Sequence, residues 1–296
     1  MTRNRAALEA TLCLNPVLKQ RVTIVAAALG APSDAGTPCI IRSWKANNRG
    51  NAELRCGASY TCEQSLTKFK MGTDDCESIT TRTLDEVLAE HAPKSIDIAK
   101  FDVEGFECNI LKGAASLFSK AEYRPAYAQF EMGFASTKDC VTAMLPRVGY
   151  ELGPNKGTGK DANQVIMPKP GGFDLADVVA GAPEPANTAA APPSPSHQPP
   201  STEVGGLQRT AAAACLNASG YGFEAANVTA EDGSFKFKMA VIGGGIDWVS
   251  GHILAHGFWE IRSPQDVADL GGTGKQLPPP GSMLLDIGGN IGYCEP

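Results

Sequence analysis

The chain has 296 residues, 43% of them apolar, enough to bury one large core or two modest ones. A formal net charge of −6 with no Lys/Arg-dense stripe excludes a phosphate-tracking, nucleic-acid-binding surface. The longest apolar runs, such as TIVAAALG, fall well short of the ~20 residues a membrane helix needs, which predicts a soluble chain with no transmembrane segment.

At the N-terminus, MTRNRAALEATL is interrupted by Glu9 and does not read as a secretory signal. RAALEATLCLNP instead predicts a short helix stopped by Asn15 and Pro16. RVTIVAAALG predicts a buried strand that ends in a glycine turn. Thr83 and Glu86 stand at capping-box spacing and start a helix through TLDEVLAEH, which Pro93 closes. SIDIAKFDVEG follows as a strand. In ECNILKGAASLF, Ile110, Leu111, Ala114, Leu117 and Phe118 recur at helical spacing and make one face apolar. PAYAQFEMG is the next strand. Ser136 and Asp139 can cap a helix carrying Val141, Met144 and Leu145, which Pro146 ends or kinks, and NQVIMP supplies a further strand. This alternation predicts an α/β fold with a parallel sheet covered on both faces.

Composition changes sharply between Pro170 and Gly206, where PEPANTAAAPPSPSHQPPSTEVGG is rich in proline and alanine and nearly free of large apolar residues. That is a linker, and it divides the chain into residues 1–169, 170–206 and 207–296. Beyond it, FKFKMAV alternates, with Phe235, Phe237, Met239 and Val241 on one face and Lys236 and Lys238 on the other, as a half-exposed strand does. WVSGHILAHGFWEI predicts a short helix and turn, QDVADL another helical piece, and PPPGS a rigid approach to the strand MLLDI. No solenoid repeat is present.

The nine cysteines are odd in number, and none lies in a Cys-x-x-Cys pair. They are read as reduced, mostly buried thiols of a cytoplasmic chain, with a local disulfide among Cys56, Cys62 and Cys76 as the alternative in an oxidising compartment. Asn217-Ala218-Ser219 and Asn227-Val228-Thr229 are glycosylation triplets short enough to arise by chance.

In LLDIGGNIGY the glycines fall as Asp-x-Gly-Gly-x-x-Gly, not at the nicotinamide spacing. A dinucleotide needs a cradle for its pyrophosphate, whereas S-adenosyl-L-methionine (SAM) has none. The methionyl carboxylate can rest on backbone amides at a helix N-terminus while an acid at the strand end accepts from the ammonium. Asp286, Gly288, Gly289, Asn290 and Gly292 fit that role. Alone, the same motif would equally make a tight strand-to-helix turn without ligand.

TLDEVLAEHAPKSIDIAKFDVEGFECNILKGAASLF, followed by QFEMG, closely resembles the signature region of the FkbM family of SAM-dependent methyltransferases, whose most recognisable stretch is Lys-x-Asp-Val-Glu-Gly-x-Glu. DWVSGHILAHGFWE ahead of LLDIGGNIGY also looks like that family's approach to its cofactor loop. The resemblance implies a Rossmann-like class I methyltransferase sheet with SAM as cofactor and a small-molecule or glycan oxygen as acceptor.

The segments stand in circularly permuted order, because in the family the glycine loop precedes the KFDVEG stretch. The two halves are then expected to form one domain, with LLDI beside KFDV in a parallel sheet. Between the loop and the Glu-Pro that leaves the family's second strand, only Tyr293 and Cys294 remain. Part of the first helix and the second strand are therefore missing from the pattern. Glu295 is the remnant of the ribose-binding acid, in sequence if not in space. A slice across two tandem copies or an imperfect gene model would give the same order. The loss predicts SAM binding weakened ten- to ten-thousand-fold, by roughly 1 to 3 kcal/mol for each unpartnered polar group, unless self-association supplies the missing elements.

By resemblance, Asp102 and Glu104 are the catalytic candidates, as a cofactor-side acceptor and as a proton acceptor or orienting group. Glu131 ends the next strand. A capping or salt-bridging carboxylate beside Lys100 is an equal reading for Glu104 and the better one for Glu107. No metal is implied: His252 and His256 stand one helical turn apart without a third ligand and read as an ordinary pair. GGTGKQ lacks the first glycine and the hydroxyl residue of a phosphate loop, Gly243 to Gly245 read as a turn, and Trp248 and Trp259 as packing residues. Two functions follow, a SAM-dependent O-methyltransferase or a non-catalytic interaction protein left by a split or tandem gene.

Overall fold

The computed structural model describes residues 2–43, 52–69, 72–155, 163–169, 208–229, 236–242, 248–256 and 283–288. Helix α1 (Thr2–Leu14) stops before Asn15 as expected, and one further turn, α2 (Pro16–Lys19), starts on Pro16, where a missing N–H is harmless. The strand predicted over residues 21–30 shrinks to β1 (Ala28–Leu29), and Val25 is left 39% exposed. Among the described residues no strand lies beside residues 22–27 to share a ladder, so their backbone has no sheet to join. Strands β2 (Pro38–Arg42) and β3 (Glu53–Cys56), helix α3 (Cys62–Phe69) and strand β4 (Cys76–Arg82) come next. The sheet they form runs in the order β1-β4-β2-β3 and was not expected.

The capping box is formed at α4 (Leu84–His91). Thr83 Oγ1 accepts the Glu86 N–H at 3.2 Å, and Glu86 Oε2 accepts the Thr83 N–H at 2.8 Å. The helix closes at Ala92, whose φ is 41°, just before Pro93. After β5 (Ile98–Phe101) the single predicted helix is two, α5 (Glu107–Lys112) and α6 (Ala115–Ser119). They break at Gly113, where a Cβ would lie 2.6 Å from the Gly30 carbonyl oxygen, so the backbone passes too close for a side chain. Strand β6 (Tyr127–Glu131) leads to α7 (Ala135–Val148). Ser136 lies inside α7 rather than at its cap, and the helix runs two residues past Pro146 before Gly149 closes it at φ 68°.

Strands β7 (Tyr150–Asn155) and β8 (Asn163–Pro168) complete the longer part of the chain. Helix α8 (Gln208–Asn217), strands β9 (Phe223–Thr229) and β10 (Lys236–Ile242), helix α9 (Trp248–His256) and strand β11 (Leu284–Ile287) follow. Trp259, QDVADL, the GGTGKQ stretch, Gly243 to Gly245 and the linker lie outside the described residues.

The principal sheet has the order β11-β5-β6-β8-β7. Strands β11, β5 and β6 are parallel, as expected, and Leu284, Leu285, Asp286 and Ile287 pair with Ile98, Ala99, Lys100 and Phe101. Strand β8 is reversed against both its neighbours. Only residues 156–162 connect β7 to β8, too few for a crossover, so the sheet is mixed rather than wholly parallel. Phe101 and Phe130, register partners on β5 and β6, stack with centroids 4.4 Å apart in a core that also takes in Leu84, Ile110, Leu117, Val141 and Ile287. That apolar layer fixes the strands whose ends carry the acids.

The antiparallel pair β9–β10 packs on α1 through Ala6, Ala7, Ala10, Phe223 and Ala240. Side chains of α1 and its end serve the β10 backbone: Thr11 Oγ1 accepts the Ala240 N–H at 3.0 Å, and Asn15 Oδ1 accepts the Lys238 N–H at 3.0 Å. A strand edge is thereby paired without another strand.

The reading of the cysteines as reduced thiols is overturned. Cys13–Cys215, Cys39–Cys56, Cys62–Cys76 and Cys108–Cys140 are disulfides, with Cα–Cα distances of 5.6, 4.0, 5.5 and 6.0 Å. Cys62–Cys76 is the local bridge of the alternative reading, whereas folding brings the other three pairs together across strands and helices. The bridges closing 14 and 32 residues each stabilise by roughly 3 kcal/mol in a chain-entropy view. Cys294 lies outside the described residues.

Candidate active site

Asp102 and Glu131 stand at the C-terminal ends of neighbouring parallel strands, where open α/β sheets gather ligands. Glu104 sits in the loop after β5 with φ 53°, followed by Gly105 at φ 92°. This double left-handed turn brings its carboxylate back toward the strand ends. One carboxylate oxygen from each of Asp102, Glu104 and Glu131 lies within 4.8 Å of the others, a set that could hold a metal ion. Lys100 Nζ pairs with Asp102 Oδ2 at 3.1 Å.

The glycine motif meets this loop directly. The Ile287 carbonyl accepts the Asp102 N–H at 2.9 Å, which extends the β11–β5 ladder by one residue. Gly288 then turns at φ 94°, and a Cβ there would fall 1.8 Å from the Asp102 carbonyl oxygen. No other residue type fits this crossing. Asp286 lies two residues earlier, level with Lys100 in the parallel register. Thus Asp286 and Gly288, remote in sequence from the KFDVEG stretch, share its end of the sheet. Gly289, Asn290, Gly292 and Glu295 lie outside the described residues.

Glu107 takes the structural role expected of it, by an unexpected route. It does not pair with Lys100, whose partner is Asp102. Its Oε1 accepts the N–H groups of Val103 and Gly105 at 3.2 and 3.4 Å, and its Oε2 accepts the Thr137 hydroxyl at 2.7 Å. Both side chains are fully buried. The Cys108–Cys140 bridge ties the same two helices, α5 and α7, from the residue after Glu107 to the one three beyond Thr137. The acid-bearing loop is therefore braced from behind by a buried carboxylate and a covalent link.

Phe134, which sequence reasoning passed over, packs its ring against Gly105, with a Cβ at that glycine 3.2 Å from the ring, and remains 39% exposed. Its place three residues after Glu131, just past the end of a predicted strand, is the signal that could have marked it. His252 and His256 lie on α9 with ring centroids 4.4 Å apart, and among the described residues they join no cluster of metal-ligand type.

No described helix is long and apolar enough to cross a membrane. Residues 9–152 match the family model described as the methyltransferase FkbM domain. Comparison with curated proteins and with solved structures finds no match.

Proposed function

From the FkbM methyltransferase domain that residues 9–152 carry, we propose that this chain transfers a methyl group from SAM to an oxygen of a small-molecule or glycosyl acceptor at the ends of β11, β5 and β6. The observation that carries the reading is the convergence of Asp286, Gly288, Asp102, Glu104 and Glu131 on one end of one sheet.

The donor set suits SAM. Gly288 lets the turn after β11 cross directly against the Asp102 backbone, which brings the glycine motif and the KFDVEG stretch to one sheet end, and the Asp286 carboxylate is of the type that accepts from an amino acid's ammonium. When bound, SAM supplies a methyl on a sulfonium, open to in-line displacement. Asp286 orients the amino-acid end; Gly289, Asn290, Gly292 and Glu295, which the motif assigns to the same cofactor, lie outside the described residues. Glu104 and Asp102 hold the acceptor hydroxyl in line and take its proton, a contribution of about 10²- to 10⁴-fold for a well-placed base. The Lys100 partner fixes the rotamer of Asp102. Phe134 offers the acceptor an apolar wall.

In this reading residues 1–169 and 207–296 are two halves of one domain in permuted order, joined by 170–206. The parallel β11–β5 pairing supports it, since the first strand of a doubly wound sheet lies parallel beside a strand from the later half of the domain. The test is calorimetric titration of the disulfide-bonded chain with SAM and with its demethylated product. Saturable but weak binding of both is expected, as the shortened glycine-loop pattern predicts, whereas a folded chain that binds neither at high ligand concentration would overturn the reading and leave a non-catalytic interaction protein.

A further inference from the structure

We propose that Asn217 is an acceptor for N-linked glycosylation. Two independent observations converge on it. The first is chemical environment. All eight described cysteines are paired, in bridges joining α1 to α8, β2 to β3, α3 to β4 and α5 to α7. Bridges of this number and spread persist where thiols are oxidised, in secretory lumens and outside cells, and not against a reducing cytosolic pool. Those are also the compartments in which Asn-x-Ser/Thr triplets meet an oligosaccharyl transferase.

The second is presentation. Asn217 is the last residue of α8, and Asn217, Ala218 and Ser219 are all exposed. The chain leaves the helix in a turn in which the Asn217 carbonyl accepts the Gly220 N–H at 3.1 Å and Gly220 adopts φ 75°. A turn lets the Asn carboxamide and the Ser hydroxyl enter an enzyme cleft together. The other triplet differs. Asn227 and Thr229 are exposed too, but they lie within β9, opposite Lys238 and Lys236 in a continuous ladder, which would have to open for the same approach. The structure therefore favours Asn217 over Asn227.

The donor is a polyprenyl-pyrophosphoryl oligosaccharide. The bond between the sugar's anomeric carbon and the pyrophosphate oxygen breaks, and a bond from that carbon to Asn217 Nδ2 forms. The pyrophosphate lipid leaves with the electron pair, and the amide proton passes to the transferase base. No redox partner is needed. None of the carboxylate site lies on α8, so the glycan adds polar bulk to the surface without blocking the strand ends.

The experiment expresses the full chain behind a cleavable secretory leader in cells with lumenal N-glycosylation. Peptide mapping is run before and after treatment with a peptide-N-glycosidase, alongside disulfide mapping of the same sample. The expected result is a glycan on Asn217 that disappears in both Asn217→Gln and Ser219→Ala, with the four bridges intact in each variant. The serine variant keeps the asparagine, so its loss of glycan separates enzymatic transfer from any other adduct. Three results would overturn the proposal: bridges formed with Asn217 unmodified, a glycan confined to Asn227, or a chain that stays reduced in that lumen.

Discussion

Glu107 Oε2 accepts the Thr137 hydroxyl at 2.7 Å between two fully buried side chains, and this one contact couples the loop after β5 to the helix after β6. Because the other Glu107 oxygen serves two loop amides, removing the carboxylate strands three donors at once. Glu107→Ala should destabilise the fold by about 3 kcal/mol or more, while Thr137→Val, which leaves one acceptor site unused, should cost about 1 kcal/mol. Chemical denaturation of both single variants and the double variant would show a coupling energy of at least ~0.5 kcal/mol, as expected for groups in one network. Additive effects would mean that the contact carries no energy of its own.

Gly288 and Gly36 make a matched pair for backbone effects. Both have positive φ, 94° and 73°, but a Cβ at Gly36 meets nothing within 4 Å, whereas one at Gly288 would collide with the Asp102 carbonyl oxygen. Gly36→Ala should cost about 1 kcal/mol, the ordinary penalty for a left-handed alanine. Gly288→Ala should cost more than about 2 kcal/mol or shift β11 away from β5, and should weaken SAM binding with it. Thermal unfolding and calorimetry on the two variants side by side would separate strain from collision.

Burial pushes the Tyr150 phenol up to about 12, with the neighbouring Arg124 pulling it partly back. Its hydroxyl donates to the Pro125 carbonyl at 2.6 Å. Since the folded value lies above the ~10 of an unfolded tyrosine, the protonated phenol stabilises the fold fully below pH ~10. That stability, on the order of 2 to 3 kcal/mol, is lost as pH rises from ~10 through ~12. Unfolding free energy measured against pH should fall over this window, and the Tyr150→Phe variant should show a flatter alkaline limb. An unchanged limb in the variant would assign the loss to other groups.

Asp286→Asn should weaken SAM binding, by about tenfold for a lost charge-assisted hydrogen bond of ~1.4 kcal/mol. Asp102→Asn should lower turnover at least as much as binding, because its strand end neighbours the transferred methyl in the proposed geometry. Titration of both variants, with turnover once an acceptor is in hand, checks this. Equal and negligible effects would remove both acids from the site.

What the sequence revealed was what repeats locally. The Thr83–Glu86 box, the KFDVEG and LLDI strands and their parallel pairing depend on patterns within a few residues, or on a resemblance carried by contiguous stretches. The β1-β4-β2-β3 sheet was not anticipated: ELRC and CESITTR are largely polar and lack a marked apolar alternation. The split at Gly113 depends on the Gly30 backbone, far away in sequence. Among the acids, Asp102, Glu104 and Glu131 were legible as strand-end residues. The purpose of Glu107 was not, because its partner Thr137 lies 30 residues on. The Cys62–Cys76 bridge was legible as the alternative, because both cysteines fall in one short polar stretch; the Cys13–Cys215 and Cys108–Cys140 bridges were not, because their partners lie 202 and 32 residues apart.

The bridge between Cys13 and Cys215 turns the molecule into a closed hoop with two free tails. Any single cut in the chain between those cysteines opens the hoop without releasing a piece, since each fragment keeps one end of the bond. The tail beyond Cys215 has no such insurance. Strand β11, with Asp286 and Gly288, hangs on that tail and is retained by its ladder to β5, by the Met283–Asp97 hydrogen bonds at its start and by Ile287 packed in the core. A protease acting between Cys215 and Leu284 would sever the chain that leads to β11 while the four bridges stayed whole. Strand β11 is thus the part of the site held in place by its ladder and its packing, with none of the four bridges on its side of Cys215.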